Sequence, residues 1–238
     1  QAGLTVLVVD LDPQGNASTA LGVDHHEGVA GTYEVLMGDA VITDVAVPCP
    51  DIPGLACVPA TIDLAGAEIE LVSLVARESR LKTAITAQLQ SMADEERFDY
   101  ILIDCPPSLG LLTVNALVAA DEVLIPIQGE YFALEGLTQM IEVIRDVMAE
   151  RPGRLRFSGI VLTMHDARNN LSNQVVADVR EFMGKKVYDT IIPRNVRVSE
   201  APSYGKPVLV YDLKCVGSEA YLRLATEIIQ REKELRAS

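Results

Sequence analysis

Six apolar runs recur along the chain at intervals long enough for a helix, and this alternation constrains the fold more than any other feature. Most runs are continuous rather than alternating in polarity, which is typical of strands buried on both faces of a parallel sheet. The predicted strands are 4–10, 98–107, 122–128, 157–164, 187–193 and 207–212. Helical patterns occupy roughly 63–93, 110–119, 133–150, 171–183 and 217–236. The sequence therefore predicts an α/β fold, doubly wound, with a mostly parallel sheet flanked by helices.

Composition is that of one globular domain with a large core. The 238 residues are 49% hydrophobic and 23% charged, without repeats or a linker, so we predict a single domain over 1–238. The stretch 33–61 is the least regular and is expected to hold a short helix, turns and another strand. No apolar run has the length of a membrane span. The four cysteines are irregularly spaced, which favours buried thiols in a reducing cytosol over disulfides or zinc.

The charge is unevenly distributed. A net charge of −14 argues against a surface that binds nucleic acid everywhere. The stretch 184–214, however, holds six basic residues against three acidic ones. The sequence thus leaves room for a local basic patch on an acidic protein.

Polar side chains follow three of the predicted strands. The first run ends at Asp10, with Asp12 two residues later; the second ends at Asp104, and the fourth runs into "LTMHD" (162–166). The carboxyl ends of parallel strands lie at one edge of a sheet, where ligands bind. An apolar strand that ends in a single Asp is typical of a Walker B carboxylate, which holds Mg²⁺ beside nucleotide phosphates.

These carboxylates have simpler explanations as well. Asp104 alone could equally be a helix cap or a turn residue. For Asp10 and Asp12 that explanation is weaker, because residues two apart on a strand face the same side, and two anions there need a cation or a proton between them. The early G-x-G-x-x-G of a dinucleotide site is absent.

Five stretches together resemble the ParA/Soj family of chromosome- and plasmid-partitioning ATPases, over essentially the whole chain. These are P-loop proteins of the deviant Walker A group, which also includes MinD. The matching stretches are "VVDLDPQGNAST" (8–19), "YILIDCPPSLG" (100–110), "EYFALEGL" (130–137), "TIIPRNVRVSEAPSYGKPV" (190–208) and "GSEAYLRLATEI" (217–228).

The resemblance implies ATP and Mg²⁺ as cofactors and gives several residues a role. Asp12 would orient or activate the water that attacks the γ-phosphate. Asp104 would lie in the Mg²⁺ shell, and Asp10 would support the metal region. The segment from Pro106 and Pro107 to Gly110 would form switch II. Three further residues would lie near the adenine, namely Pro193, Asn195 and Met164.

The family's phosphate-binding loop, of the form K-G-G-x-G-K-T-T, matches no stretch of the 238 residues. In the family it precedes the strand that ends at Asp10. We therefore expect an amino-terminally incomplete ParA-type domain, without its first strand and P-loop, that does not hydrolyse ATP at a family-like rate. Either residues encoded upstream of Gln1 supply the loop, or the chain is a non-catalytic DNA- or partner-binding paralogue.

The resemblance also implies that an ATP-bound homodimer binds DNA without sequence preference through the basic stretch. The candidate contacts are Arg197, Lys206, Lys214 and Arg223. Val216 stands where many relatives carry a basic residue, which puts one phosphate contact in doubt.

A ParB-type partner would stimulate hydrolysis, and the protein would be cytoplasmic and nucleoid-associated in a bacterium. A MinD-like division-site ATPase is the alternative within the group. MinD ends in an amphipathic membrane-binding helix, whereas "EIIQREKELRAS" (227–238) mixes charges of both signs. We therefore predict no membrane binding and a packed terminal helix that uses Tyr221, Leu224, Ile228 and Leu235.

Overall fold

The computed structural model describes residues 3–129, 133–150 and 155–237, apart from the side chains of 133–135 and 236–237. It has the predicted α/β fold, in which mostly parallel strands are flanked by helices. Contacts between residues divide the chain into two compact units, 1–121 with 202–207 and 122–201 with 208–238. The single domain over 1–238 stays a prediction, and part of the motif at 130–137 lies outside the described residues.

A four-stranded sheet forms the centre of the first unit, in the order β2-β3-β1-β4. The strands are β1 (Val6–Asp10), β2 (Val47–Pro48), β3 (Leu55–Val58) and β4 (Tyr100–Asp104). β1 pairs in parallel with both β3 and β4, whereas β2 is antiparallel to β3. Because β1 lies between two partners, Leu7 and Val9 are buried, which explains its continuous apolar run.

Six α-helices complete the described part of the first unit. They are α1 (Asn16–Ala20), α2 (Thr32–Met37), α3 (Ile42–Val45), α4 (Leu64–Leu71), α5 (Arg80–Ser91) and α6 (Leu111–Ala119). The predicted helical stretch 63–93 is in fact two helices, α4 and α5. Ala76 between them has a φ of 54°, and a residue in this left-handed region cannot continue a right-handed helix.

The core of the first unit lies between β1 and these helices. Leu36 of α2, Leu64 of α4, Leu81 of α5 and Leu112 of α6 are almost completely buried in one cluster with Leu7. Helices α2 to α6 therefore each contribute an apolar face, and burial of such faces is the main source of stability. This packing fixes β1, and with it the residues that follow its carboxyl end.

The second unit contains a three-stranded parallel sheet in the order β5-β6-β7. The strands are β5 (Glu122–Gln128), β6 (Arg156–His165) and β7 (Val187–Pro193). The helices are α7 (Ala133–Glu150), α8 (Asn170–Met183), α9 (Val196–Glu200), α10 (Val208–Tyr211) and α11 (Val216–Ala237). The predicted bounds of β5, β7 and α7 are confirmed to the residue.

α11 packs on β7. Leu224 is buried against Tyr188 and Ile192, with Ile228 partly buried beside them. Tyr221 and Leu235 are instead 36% and 52% exposed, so the predicted packing is wrong for Leu235. Within the described residues, no helix combines the length and the apolar character needed to cross a membrane.

The predicted strand at 207–212 is wrong, because this segment forms the helical turn α10. The amide of Asp212 donates to the carbonyl of Val208 over 2.8 Å. The hydroxyl of Ser218 donates to both of these carbonyls, over 3.2 Å to Val208 and 2.7 Å to Asp212. A short apolar run is compatible with either element, and here these tertiary hydrogen bonds favour the turn.

Asn115 of α6 connects two helices of the first unit from a fully buried position. Its Oδ1 accepts from the amide of Leu81 at the start of α5 (3.2 Å). Its Nδ2 donates to the carbonyls of Arg77 (2.8 Å) and Leu111 (3.0 Å). This side chain thus supplies hydrogen bonds that the main chain before α5 lacks.

We expect Asn115→Ala to lower the free energy of unfolding by about 1–3 kcal/mol or more, because it leaves buried main-chain groups unpaired. Urea denaturation followed by circular dichroism measures the change. Asn170→Ala, at an exposed asparagine in the first turn of α8, is the matched control and should have little effect. Equal losses in both variants would contradict this role of Asn115.

Candidate functional site

Asp10, the last residue of β1, is completely buried and its carboxylate is held by protein donors. Oδ2 accepts from the amide and the hydroxyl of Ser18, over 2.8 and 2.6 Å. Oδ1 accepts from the amide of Asp12 over 3.2 Å. Burial raises the pKa of Asp10, and the bonds from Ser18 oppose this rise by stabilising the charged form. Both oxygens are thus engaged in the protein; the support of a metal by Asp10 stays a prediction.

Asp12 lies past the end of β1, in a turn rather than on the strand. The expectation that Asp10 and Asp12 share one strand face therefore does not apply. The half-buried carboxyl of Asp12 accepts from the amide of Gln14 (3.0 Å), and its carbonyl accepts from the amide of Gly15 (2.9 Å). The chain reverses direction here, which leaves the Asp12 side chain at the carboxyl end of β1.

Gly15 is required in this turn on two grounds. Its φ is 62°, in the region that glycine adopts without strain. A Cβ at this position would also lie 2.6 Å from Nδ1 of His25. The other ring nitrogen of His25, Nε2, lies 2.9 Å from the hydroxyl of Thr19 in α1. His25 therefore packs on the turn from outside, a contact for which the sequence carries no signal.

Asp104 ends β4 directly beside Asp10 in the parallel register. Its carbonyl accepts from the amide of Leu11 over 2.8 Å, which fixes the ends of the two strands together. The residue is exposed at the sheet edge, yet its carboxyl is crowded by protein atoms. This loss of hydration, together with the negative charges of Asp10 and Asp12, raises the pKa of Asp104 to about 6.

The predicted switch II segment leads from Asp104 into α6. Pro106 is buried, Pro107 is exposed, and Gly110 immediately precedes the first helical residue. The hydroxyl of Thr113 donates to the carbonyl of Ser108 over 2.6 Å. A Cβ at Gly110 would collide with the carboxyl of Glu68, whose buried Oε1 has no hydrogen-bond partner in the described part of the chain. Glycine at this position thus lets α4 approach α6.

The carboxylates of this site suit coordination of Mg²⁺ by one protein side chain rather than by several. No group of three or more Asp, Glu, His or Cys residues suited to a metal occurs within the described ranges. Asp104 is an exposed residue, whereas the buried carboxylate of Asp10 already accepts hydrogen bonds from Ser18 and Asp12. Mg²⁺ in nucleotide sites typically takes one or two carboxylates, with waters and phosphates as the other ligands. The residues present are compatible with that arrangement.

The predicted adenine-side residues come together in the second unit, at the carboxyl ends of β6 and β7. His165, which follows Met164, pairs with Pro193, and the amide of Arg194 donates to the carbonyl of His165 over 2.9 Å. Met164 has a φ of 53°, which is unusual for a residue other than glycine. Asn195 precedes α9, and its Oδ1 accepts from the amide of Arg197 (2.8 Å). Asn195 is therefore also a helix cap.

The predicted DNA contacts differ in how their side chains are engaged. Arg197 forms ion pairs with Glu200 (3.0 Å) and Asp212 (3.5 Å). In the first unit, Lys206 pairs with Asp51 over 3.4 Å. Lys214 and Arg223 are exposed, and neither side chain forms an ion pair among the described residues.

Comparison with known proteins places this arrangement in a family. A model of the AAA domain matches residues 1–157. The chromosome partitioning protein ParA of Caulobacter vibrioides is 54% identical over 99% of this chain and 86% of its own length. The sporulation initiation inhibitor protein Soj of Bacillus subtilis is 50% identical over 95% of this chain and 87% of its own length.

A solved structure gives the same result at the level of the fold. Cobyrinic acid a,c-diamide synthase from Mycobacterium smegmatis, with a bound ATP analogue and magnesium, superposes with a TM-score of 0.72 and 36% identity. The match covers 88% of this chain and 79% of that one. With half or more of its residues identical to ParA and Soj over nearly its whole length, the chain belongs to the ParA/Soj family of chromosome-partitioning proteins.

Proposed function

We propose that this chain is the body of a ParA-type partitioning ATPase and carries the water-positioning and Mg²⁺-binding part of its site. The observation that carries the proposal is the position of Asp12 and Asp104 at the carboxyl ends of the adjacent strands β1 and β4. The ATP analogue and magnesium in the M. smegmatis structure support ATP and Mg²⁺ as the ligands.

Hydrolysis of ATP requires that the attacking water and the γ-phosphate be positioned, and it needs no covalent intermediate. Transfer of the γ-phosphate to water depends on an aligned nucleophile and on neutralised phosphate charge, and Mg²⁺ supplies the latter when bound. Asp104 is an exposed residue at the end of β4, and its carboxyl would hold the ion directly or through water. Asp12 is only half-buried, so its carboxylate is accessible to accept a hydrogen bond from the attacking water and orient it. Met164, Pro193 and Asn195 would contact the adenine.

The phosphates themselves need donors, and the family's phosphate-binding loop that would provide them matches no stretch of the 238 residues. A K-G-G-x-G-K-T-T loop would supply main-chain amides, lysines and the hydroxyl that ligates Mg²⁺. We therefore propose turnover only when such a loop precedes residue 1. The second candidate function, a non-catalytic DNA- or partner-binding paralogue, is favoured only by the absence of a loop sequence within these residues.

A role in partition would depend on binding of the protein to the DNA of the nucleoid. We propose that the ATP-bound form is a cytoplasmic homodimer that binds DNA without sequence preference and is stimulated by a ParB-type partner. The name of the Caulobacter relative, chromosome partitioning protein ParA, supports a role in partition. Contacts of Lys and Arg with phosphates would provide the affinity and make it depend on salt. Lys214 and Arg223 are the stronger candidates, because Arg197 and Lys206 would first have to leave their acidic partners.

Phosphate release tests the role of Asp12. The 238-residue chain and the same chain extended at its amino end by a K-G-G-x-G-K-T-T loop segment with its strand are compared with Mg²⁺-ATP. We expect turnover only in the extended protein, and a loss of about 100-fold or more in kcat on Asp12→Ala, because the water is no longer oriented. Asp24→Ala, at an exposed carboxylate beyond α1, is the control and should keep the rate.

Two results would contradict this function. Metal-dependent turnover by the 238 residues alone would show that the loop is dispensable. Full activity of Asp12→Ala in the extended protein would remove Asp12 from the reaction. An extended protein that binds DNA but never hydrolyses ATP would favour the non-catalytic paralogue.

The raised pKa of Asp104 predicts a pH-dependent stability. Because its pKa rises from 3.8 to about 6 on folding, the folded chain binds this proton more tightly than the unfolded chain does. The resulting stabilisation is present at low pH and is lost as pH rises from 3.8 to about 6. Urea titrations should show Asp104→Asn gaining stability relative to wild type across that window.

The same carboxyl provides a test of Mg²⁺ binding by nuclear magnetic resonance. Mg²⁺ competes with the proton, so it should lower the titration midpoint of Asp104 below its metal-free value of about 6. A stability difference that does not change with pH, or a midpoint unaffected by millimolar Mg²⁺, would be evidence against this assignment.

DNA binding is tested by fluorescence anisotropy on a duplex of arbitrary sequence, with the extended protein and Mg²⁺-ATP. Arg223→Ala should weaken binding and reduce the slope of log K against log salt by about 1, as expected for one lost phosphate contact. Arg97→Ala, which removes an exposed arginine of the first unit, is the control. An unchanged slope for Arg223→Ala would exclude it as a contact.

A further inference from the structure

One carboxylate holds both ends of the turn that carries Asp12. Oδ1 of Asp10 accepts from the amide of Asp12 at the start of the turn (3.2 Å). Oδ2 accepts from the amide and the hydroxyl of Ser18 at its far end (2.8 and 2.6 Å). The intervening residues 13–17, which comprise the turn and the first two residues of α1, are therefore closed by a single side chain.

The bonds from Ser18 replace a missing helix cap. Gly15 precedes α1 and has no side chain to accept from the first amides of the helix. Asp10 takes that role from the neighbouring strand through the amide of Ser18. A negative charge at this end of a helix is favourable, and its bonds to N–H groups compensate for burial of the carboxylate.

Asp10 and Ser18 each form a further hydrogen bond with a residue outside the turn. The hydroxyl of Ser18 accepts from the amide of Ala60 over 3.2 Å, in addition to donating to Asp10. The hydroxyl of Thr32 donates to the carbonyl of Asp10 over 2.6 Å. Asp10, Ser18 and Thr32 are all fully buried. Since the buried groups are satisfied within the protein, water cannot readily replace these bonds.

We propose that Asp10 and Ser18 are a positioning pair, which sets the place of the Asp12 carboxylate by holding together the two ends of residues 13–17, the turn and the start of α1. In this role Asp10 is not a ligand of Mg²⁺, because its oxygens are already engaged by Ser18 and Asp12. The consequence for ATP hydrolysis rests on the proposed function, whereas the closure of the turn does not.

Amide hydrogen exchange of the 238-residue chain, resolved by nuclear magnetic resonance, tests the closure. Ser18→Ala removes the hydroxyl that joins Asp10 to Ala60. We expect the amides of Asp12 and of residue 18 to exchange at least about tenfold faster, because the carboxylate is less firmly held. Ser218→Ala, which also deletes a fully buried serine hydroxyl but in the second unit, is the matched control and should leave both amides unchanged.

The exchange pattern of the wild-type protein provides a second measurement if Ser18→Ala does not fold. The amides of Asp12 and Ser18, bonded to the buried Asp10, should be at least tenfold more protected than that of Gln14, bonded to the accessible Asp12. Equal protection of all three would overturn the proposal. Unchanged exchange in Ser18→Ala, or equal acceleration in Ser218→Ala, would do the same.

Steady-state kinetics of Ser18→Ala then distinguish a positioning role of this residue from a loss of overall stability. In the extended protein, Ser18→Ala should lower kcat at least tenfold and leave KM for ATP unchanged, since it displaces Asp12 without touching the nucleotide. A proportional change in KM, or a loss of activity matched by Ser218→Ala, would overturn the positioning role. If the extended protein hydrolyses no ATP, the proposed function fails, while the exchange result still decides the closure.

Discussion

A buried carboxylate must be neutralised, protonated or bonded to donors, and the site of this protein is organised around that constraint at Asp10. The donors come from the residues that follow it, Asp12 and Ser18, so the chain after β1 must fold back on itself. Gly15 makes the reversal possible with its positive φ. The position of Asp12 at the strand end is thus a consequence of satisfying Asp10.

The carboxyl of Asp104 has different surroundings from that of Asp10. Asp104 lies beside Asp10 in the sheet, but it is an exposed residue, and no hydrogen bond to its carboxyl comes from the part of the chain that the structure describes. Loss of hydration and the charges of Asp10 and Asp12 raise its pKa to about 6. Shifts of this kind are common at functional sites. The two neighbouring aspartates thus differ in their surroundings, which is why we propose a positioning role for Asp10 and Mg²⁺ binding for Asp104.

Much of the fold could be predicted from the sequence, because continuous apolar runs indicate parallel strands, whereas a ligand edge at the acids that follow them stays a prediction. The bounds of β5, β7 and α7 followed from the pattern alone. Ser18 and His25 could not be predicted as partners of the turn, since their bonds depend on how the chain folds back after β1. Residues 207–212 were misassigned because Ser218, distant along α11, stabilises the helical turn there.

The most direct test is a crystal structure of the loop-extended protein with Mg²⁺ and a non-hydrolysable ATP analogue. We predict Mg²⁺ on the Asp104 side of the γ-phosphate, a water between that phosphate and Asp12, and Asp10 still bonded to Ser18. A γ-phosphate remote from the ends of β1 and β4, or an Asp10 released from Ser18 to ligate Mg²⁺, would contradict this prediction.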